Sequence, residues 1–302
     1  KGGNFTKIER QTLNQRLNSQ LDDSATVKTK EKIFILKNII SPPAYDSANA
    51  GISSRNMQAS MFHLGYYNAK ISYVADTVNQ KVKVKYLVEA GKPTLIDTVS
   101  YRLVKPGLQQ KALQDREYAL LKEGNPVTKT AVLGEISRLV DSFRNNGYYK
   151  FTAAELRVRG DTSIEALTSV SDDPFEQLRL IAEAQQQRDS PKIKLAVVLV
   201  PPIDSSKLSK FYINRIYLLP DFRQGDKLSD TADITQRATR NFMLRYHEKL
   251  FRTGFLTRNI SLRSGNLFKQ NEYYNTLNRL SKTGVWQSVN IQVEEVPDSS
   301  GL

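Results

Sequence analysis

The feature that most constrains this chain is a glycine that recurs at one kind of boundary. It occurs as Gly65-Tyr66-Tyr67, Gly147-Tyr148-Tyr149 and Gly284-Val285-Trp286, each time with an aromatic residue two positions later. Apolar residues at helical period precede each glycine, and a strand-like stretch follows it. A supersecondary unit repeated in this way implies several small domains in a row rather than one large catalytic fold.

The helical stripes are Met57 and Met61 in the first unit, Ile136, Leu139, Val140 and Phe143 in the second, and Tyr273, Leu277 and Leu280 in the third. Their i, i+3/i+4, i+7 spacing marks amphipathic helices with one buried face. The expected N-caps are Ser53, Thr128 and Asn271. Each glycine fits the C′ position, where a left-handed backbone ends a helix at least cost.

After the glycines the period changes to two. Ala69, Ile71, Tyr73 and Ala75 alternate with polar neighbours, as do Leu156 and Val158, and Val289, Ile291 and Val293. A polar turn at 76–80 leads to Val82, Val84, Tyr86 and Val88, which reads as a hairpin. In the second unit the partner strand is 192–200, after an insertion at about 161–191. A helix opened by Asp173-Pro174 and carrying Phe175, Leu178 and Ile181 is expected inside that insertion.

The second unit then reads strand 95–104, helices 108–122 and 129–146, strands 151–160 and 192–200. The third reads strand 211–219, a helical turn near 255–260, helix 270–283 and strand 286–295. The first opens with a helix over about 4–21 and a linker at Ser41-Pro42-Pro43; its opening strand lies before Lys1 or near 32–36. The fold class is therefore α+β. The expectation is tandem β-α-α-β-β domains, each a three-stranded mixed sheet covered by two helices. Their bounds are 1–91, 92–204 and 205–302, the last ending before its final strand. The linkers 90–93 and 201–210 are short, which restricts hinging.

Composition removes several alternatives. With 302 residues, two to three domains fit. Cysteine is absent, so disulfides and thiolate metal sites are excluded. No apolar run reaches the roughly 18 residues needed to span a bilayer as a helix. The opening Lys1-Gly2-Gly3-Asn4 shows neither an initiator methionine nor a signal-peptide pattern, so a soluble portion of a longer protein is expected. The net charge of +13 attracts anionic partners. In Lys81-Val82-Lys83-Val84-Lys85-Tyr86, however, the lysines alternate with apolar residues, which places them on the solvated face of a half-buried strand.

No chemistry-bearing constellation emerges. His63 and His247 are the only histidines, and the sequence offers them no clustered partners for a metal site or triad. Asp172-Asp173 precedes Pro174 and reads as a helix N-terminus. Glu294-Glu295 places adjacent carboxylates on opposite faces of a strand. Nucleotide-binding, zincin and nucleophile-elbow motifs are absent. No cofactor and no catalytic residue is expected. Basic charge with many aromatics leaves one alternative, a scaffold binding single-stranded nucleic acid or another polyanion; most of the aromatics fall at core periodicity and count against it.

Taken together, Leu262–Phe268, the stripe Tyr273-Leu277-Leu280, Gly284-Val285-Trp286, Val289 and Ile291 resemble the POTRA (polypeptide-transport-associated) domain pattern. Phe143–Tyr149 and Phe62–Tyr67 repeat its second half. The resemblance covers nearly the whole chain, most strongly after Ser261. It implies a periplasmic array of the BamA and TamA type, attached to the outer membrane of a Gram-negative bacterium through a C-terminal transmembrane β-barrel absent here. It implies unfolded outer-membrane clients as partners, together with accessory lipoproteins or an inner-membrane partner, and no enzyme activity. Clients would be received by strand addition at an open sheet edge. Carried over from the family, the edges are about 69–76, 151–160 and 286–294, marked by Ile71, Tyr73, Leu156, Val158, Val289 and Ile291.

Overall fold

The computed structural model describes residues 5–21, 45–79, 81–160, 191–223, 226 and 234–296. The expected insertion helix after Asp173, the linker at Pro42-Pro43 and the alternative opening strand near 32–36 lie outside the described residues. Among the described residues no helix is long and apolar enough to cross a membrane. The chain gathers into two compact units. One holds Lys1–Leu103, Asp115–Ile136 and Leu156–Leu199; the other holds Val104–Gln114, Ser137–Glu155 and Val200–Leu302. The second sequence repeat contributes to both.

The first repeat contains α1 (Lys7–Asn18), α2 (Ser47–His63) and a hairpin of β1 (Lys70–Val78) and β2 (Lys81–Glu89). Thr6 and Glu9 close a capping box on α1. α2 starts at Asp46, whose side chain accepts from Ala48 N, and not at Ser53 as its pattern suggests. The buried stripe of α2 is Ala50, Ser53, Ser54, Met57, Ser60 and Met61. Half of that stripe is serine, so its first two turns carry only Ala50 as an apolar signal. The serines are satisfied individually: Ser54 Oγ donates to Ile71 O at 2.8 Å, and Ser60 Oγ accepts from Arg16 Nε at 3.1 Å. Met57, Met61 and Ala69 form the core with Leu17, packed by Ile71, Tyr86 and Val88 from the hairpin.

The second repeat runs β3 (Leu95–Arg102), α3 (Pro106–Gln114), α4 (Lys129–Arg144), β4 (Leu156–Gly160) and β5 (Lys192–Leu199). This is the expected β-α-α-β-β order. β5 is central, parallel to β3 and antiparallel to β4. Thr128 caps α4 as expected, its Oγ1 accepting from Ala131 N at 3.1 Å. Of the stripe read from the sequence, Ile136, Leu139 and Phe143 are buried and Val140 is half-buried; Val132, one turn earlier, is buried with them.

The third repeat departs from the expected order. β6 (Tyr217–Leu218), β7 (Thr235–Ala238) and β8 (Met243–Tyr246) come first, then α5 (Thr253–Asn259) and α6 (Gln270–Lys282). β8 is central, parallel to β6 and antiparallel to β7. The sheet thus has the geometry of the second repeat, but its helices follow the strands rather than separating them. Residues 287–296 form no strand, and the central strand β8 has β6 and β7 on its two sides. Trp286 turns inward instead. Its Nε1 donates to Pro220 O at 2.6 Å and its ring packs on Phe251 and Phe255. α6 starts after Lys269, which makes no side-chain cap bond, so Asn271 lies inside the helix and is not its cap.

Candidate strand-docking edges and repeated joints

All three boundary glycines have positive φ: +91° at Gly65, +93° at Gly147 and +67° at Gly284. Around the first two, the chain repeats a whole joint. Thr94 N donates to Gly65 O at 2.9 Å, and Phe211 N donates to Gly147 O at 2.9 Å. The segment that starts there pairs with a Gly-Asn turn. Val127 N donates to Thr94 O and Ile96 N to Asn125 O; Phe268 N donates to Phe211 O and Ile213 N to Asn266 O. Isolated bridges Leu95↔Pro126 and Tyr212↔Leu267 complete the two short ladders. The turn glycines, Gly124 and Gly265, have φ of +80° and +83°.

The aromatic two residues after the glycine belongs to the joint. Tyr67 Oη donates to Val127 O at 2.8 Å, and burial pushes this phenol's pKa up. The Tyr149 ring packs edge-on against Phe211 and Phe268. The third position differs, since Trp286 serves its own repeat's core. The second joint is reinforced from α4. Asn145 Oδ1 accepts from Asn271 N at 2.8 Å, Gln270 Nε2 donates to Asp141 Oδ1 at 3.0 Å, and Arg144 Nη1 donates to Gln270 Oε1 at 3.1 Å. The first turn of α6 is therefore capped by α4. Each turn carries a Gly-Asn pair, Gly124-Asn125 and Gly265-Asn266, which is a turn signal in sequence.

Of the expected edges, Leu156 and Val158 lie on β4, which has one ladder neighbour among the described residues. Their side chains are fully buried, so what they offer an incoming strand is backbone. Val200 N donates to Glu155 O, which faces that carbonyl toward β5. Backbone groups alternate sides along a strand, so the N–H and C=O of Leu156 and Val158 face the open edge. The strand is shorter than the expected 151–160 because 153–155 form a 3-10 turn.

Ile71 and Tyr73 lie on β1, half-buried on the inner face of a two-stranded sheet. From Val74 onward β1 is exposed on both faces. Val289 and Ile291 are half-buried and lie outside any strand; Tyr273 Oη donates to Ile291 O at 3.4 Å. The edge residues fall on separate elements.

Charged groups serve the architecture. Glu155, 3% exposed, takes Lys207 Nζ at 2.6 Å and Thr152 N at 2.6 Å. Burial pushes its carboxyl pKa up, but the bonds from Lys207 and Thr152 outweigh this and hold it below the ordinary carboxylate range. Lys150 bonds Glu295 at 2.6 Å and Ser206 Oγ at 3.0 Å, and the Glu295 bond raises the ammonium pKa.

Tertiary structure does supply His247 with neighbours that the sequence did not reveal. Asp221 lies 3.8 Å from its Nδ1 and Asp226 3.6 Å from its Nε2. Asp221 is already engaged, its Oδ2 accepting from the amides of His247 and Glu248 at 2.8 Å each. Among the described residues no group of His, Asp and Glu side chains is arranged to hold a metal ion. A cleft of about 330 Å³ beside Tyr101, Arg116 and Glu123 offers no nucleophile–base pair.

No family model matches the sequence, and no curated protein matches it. Solved structures do. Haemophilus influenzae BamA POTRA3-5 is 10% identical, with 99% of this chain and 89% of that chain covered and a TM-score of 0.41. POTRA1-3 of the periplasmic domain of Omp85 from Anabaena is 12% identical, with 98% and 86% covered and a TM-score of 0.32. The N-terminal domain of Omp85 from Thermosynechococcus elongatus is 13% identical, with 97% and 87% covered and a TM-score of 0.26. The chain is α+β, and these three solved structures, to which it is similar over nearly its whole length, are POTRA domains of BamA and Omp85 proteins.

Proposed function

We propose that this chain is the periplasmic polypeptide-binding portion of an outer-membrane β-barrel assembly or translocation factor, organised as three tandem domains at 1–91, 92–204 and 205–302. It acts as a binding array rather than an enzyme. Unfolded clients add a strand to an open sheet edge, and accessory lipoproteins or an inner-membrane partner dock on the same array. The observation that carries this reading is the edge strand β4, whose Leu156 and Val158 backbone groups face away from the sheet while their side chains are buried. Such an edge supplies sequence-tolerant affinity through main-chain hydrogen bonds. The exposed hairpin β1–β2 offers a further edge of the same kind.

The test uses a fluorescent nine-residue peptide of alternating apolar and polar residues and a copy N-methylated at alternate amides. Strand addition requires the unmethylated peptide to bind and the methylated copy to lose binding at least tenfold. Equal binding of the two would mean that side chains or charge, and not the strand edge, capture the peptide.

A further inference from the structure

We propose that the tip of the β1–β2 hairpin docks on the surface of an anionic phospholipid bilayer, with Lys81, Lys83 and Lys85 meeting headgroup phosphates and valines of both hairpin faces entering beside them. This goes beyond strand addition, which uses the backbone of a sheet edge. Here the side chains of two sheet faces make the contact.

The pairing register sorts the hairpin residues by face. Tyr73↔Tyr86, Ala75↔Val84 and Thr77↔Val82 lie on the inner face, while Val74↔Lys85, Asp76↔Lys83 and Val78↔Lys81 lie on the outer one. α2 reaches along the inner face as far as its own first residue, where Tyr73 Oη donates to Ser47 O at 3.4 Å. Past Tyr73 both faces open. Ala75, Thr77 and Val82 are exposed on the inner face, and Val74, Asp76 and Val78 on the outer.

Clustered exposed apolar side chains mark an interaction site. On the outer face Val74, Val78 and Leu87 are 46%, 58% and 53% exposed, and on the inner face Val82 is 37% exposed. Lys81, Lys83 and Lys85 alternate along β2 on the outer face, roughly 6.5–7 Å apart. Lys70 and Glu89 oppose each other at the base. Between them Asp76 is the one carboxylate in the sequence, 4.0 Å from Lys85. Three lysines against one aspartate leave the tip an excess of two positive charges.

Cations interleaved with apolar side chains complement a layer of phosphates above acyl chains. The ammonium groups meet the phosphates, and the lysine stems and valines lie against the apolar layer beneath. The two open faces decide between occupants. A folded protein partner covers one face of a sheet. A bilayer surface is fluid and surrounds a tip that enters it, so it touches Val78 and Val82 together.

The whole chain is titrated with vesicles of mixed phosphatidylglycerol and phosphatidylethanolamine, with vesicles of phosphatidylcholine alone, and with soluble fluorescent poly-glutamate. Flotation measures vesicle binding and anisotropy measures the polymer. The anionic vesicles are expected to bind at least about tenfold tighter than the phosphatidylcholine vesicles. K81Q/K83Q/K85Q should lose at least about tenfold on the anionic vesicles, whereas K249Q/R263Q/K282Q, which removes equal charge at exposed sites elsewhere, should stay within about threefold. V78S and V82S should each weaken binding about 2- to 5-fold, with circular dichroism confirming folding in every variant. No preference for anionic vesicles, or equal losses in the two triple variants, overturns the role of the tip. A loss in V78S alone, or poly-glutamate binding as tight as vesicle binding with V78S and V82S unaltered, assigns the tip to an acidic polypeptide partner and overturns the lipid surface.

Discussion

The amide of Phe211 donates to the carbonyl of Gly147 at 2.9 Å, as the amide of Thr94 does to the carbonyl of Gly65. A helix-stopping glycine therefore has two tasks in this chain. Its positive φ ends the helix, and its carbonyl receives the segment that opens the next repeat. A Cβ at Gly147 would meet the Leu267 side chain at 2.5 Å, and one at Gly65 would meet Val127 O at 3.1 Å. At Gly284 nothing lies within 4 Å.

Gly147→Ala and Gly284→Ala should differ in cost. Both suffer the left-handed backbone penalty of about 1–2 kcal/mol. Gly147→Ala adds overpacking against Leu267, roughly 1–3 kcal/mol more. Urea unfolding followed by fluorescence of Trp286, the one tryptophan, should show the larger loss for Gly147→Ala. Equal losses would show that Leu267 yields without strain.

Tyr67→Phe removes the buried hydrogen bond to Val127 O and retains the ring. The expected loss is about 1 kcal/mol. Hydrogen exchange should rise at the amides of Val127 and Ile96, which form the first joint's ladder, before it rises in the second joint. Uniform exchange across the chain would contradict a local role.

Asn145→Ala removes the side chain that accepts from Asn271 N in the first turn of α6. A lost N-terminal cap costs about 0.5–2 kcal/mol. The urea midpoint reported by Trp286 should fall, and Asn145→Asp should retain most of the stability, because an aspartate also accepts there and favours the helix N-terminus. Equal losses in both variants would rule out capping.

Lys207→Met leaves buried Glu155 without its cation, and the expected loss at neutral pH is roughly 1–3 kcal/mol. The folded pKa of Glu155 is held below its unfolded value. The pair's contribution is therefore fully present above the ordinary glutamate pKa of about 4.3 and is lost as pH falls through the lower folded value. The difference in stability between the variant and the unaltered chain should shrink on acidification below about pH 4. A difference constant from pH 7 to pH 3 would exclude the ion pair as its source.

Legibility in the sequence followed the range of the interaction. Gly65, Gly147 and Gly284 were readable as helix stops because positive φ is a one-residue property. The stripe Ile136-Leu139-Phe143 was readable because apolar periodicity reports one buried face. The start of α2 was not, since Ser53, Ser54 and Ser60 are buried by hydrogen bonding and look polar in sequence. β4 as an edge was an expectation carried from the resemblance rather than read from the residues.

By itself, the amino-acid sequence determined the α+β class, the repeated helix–glycine–aromatic boundary and the alternating strands of the first two repeats. Those properties depend on backbone preferences and on periods of two or 3.6 residues within one segment. Only the tertiary structure decided which strands pair in the third repeat, that Trp286 turns inward while Tyr67 and Tyr149 reach into joints, and that Asn145 caps α6. Each of those outcomes depends on a partner far away in the chain. Val289 and Ile291 alternate as a strand would, yet they lie outside any strand, and Ile291 O accepts from Tyr273 Oη of α6 instead.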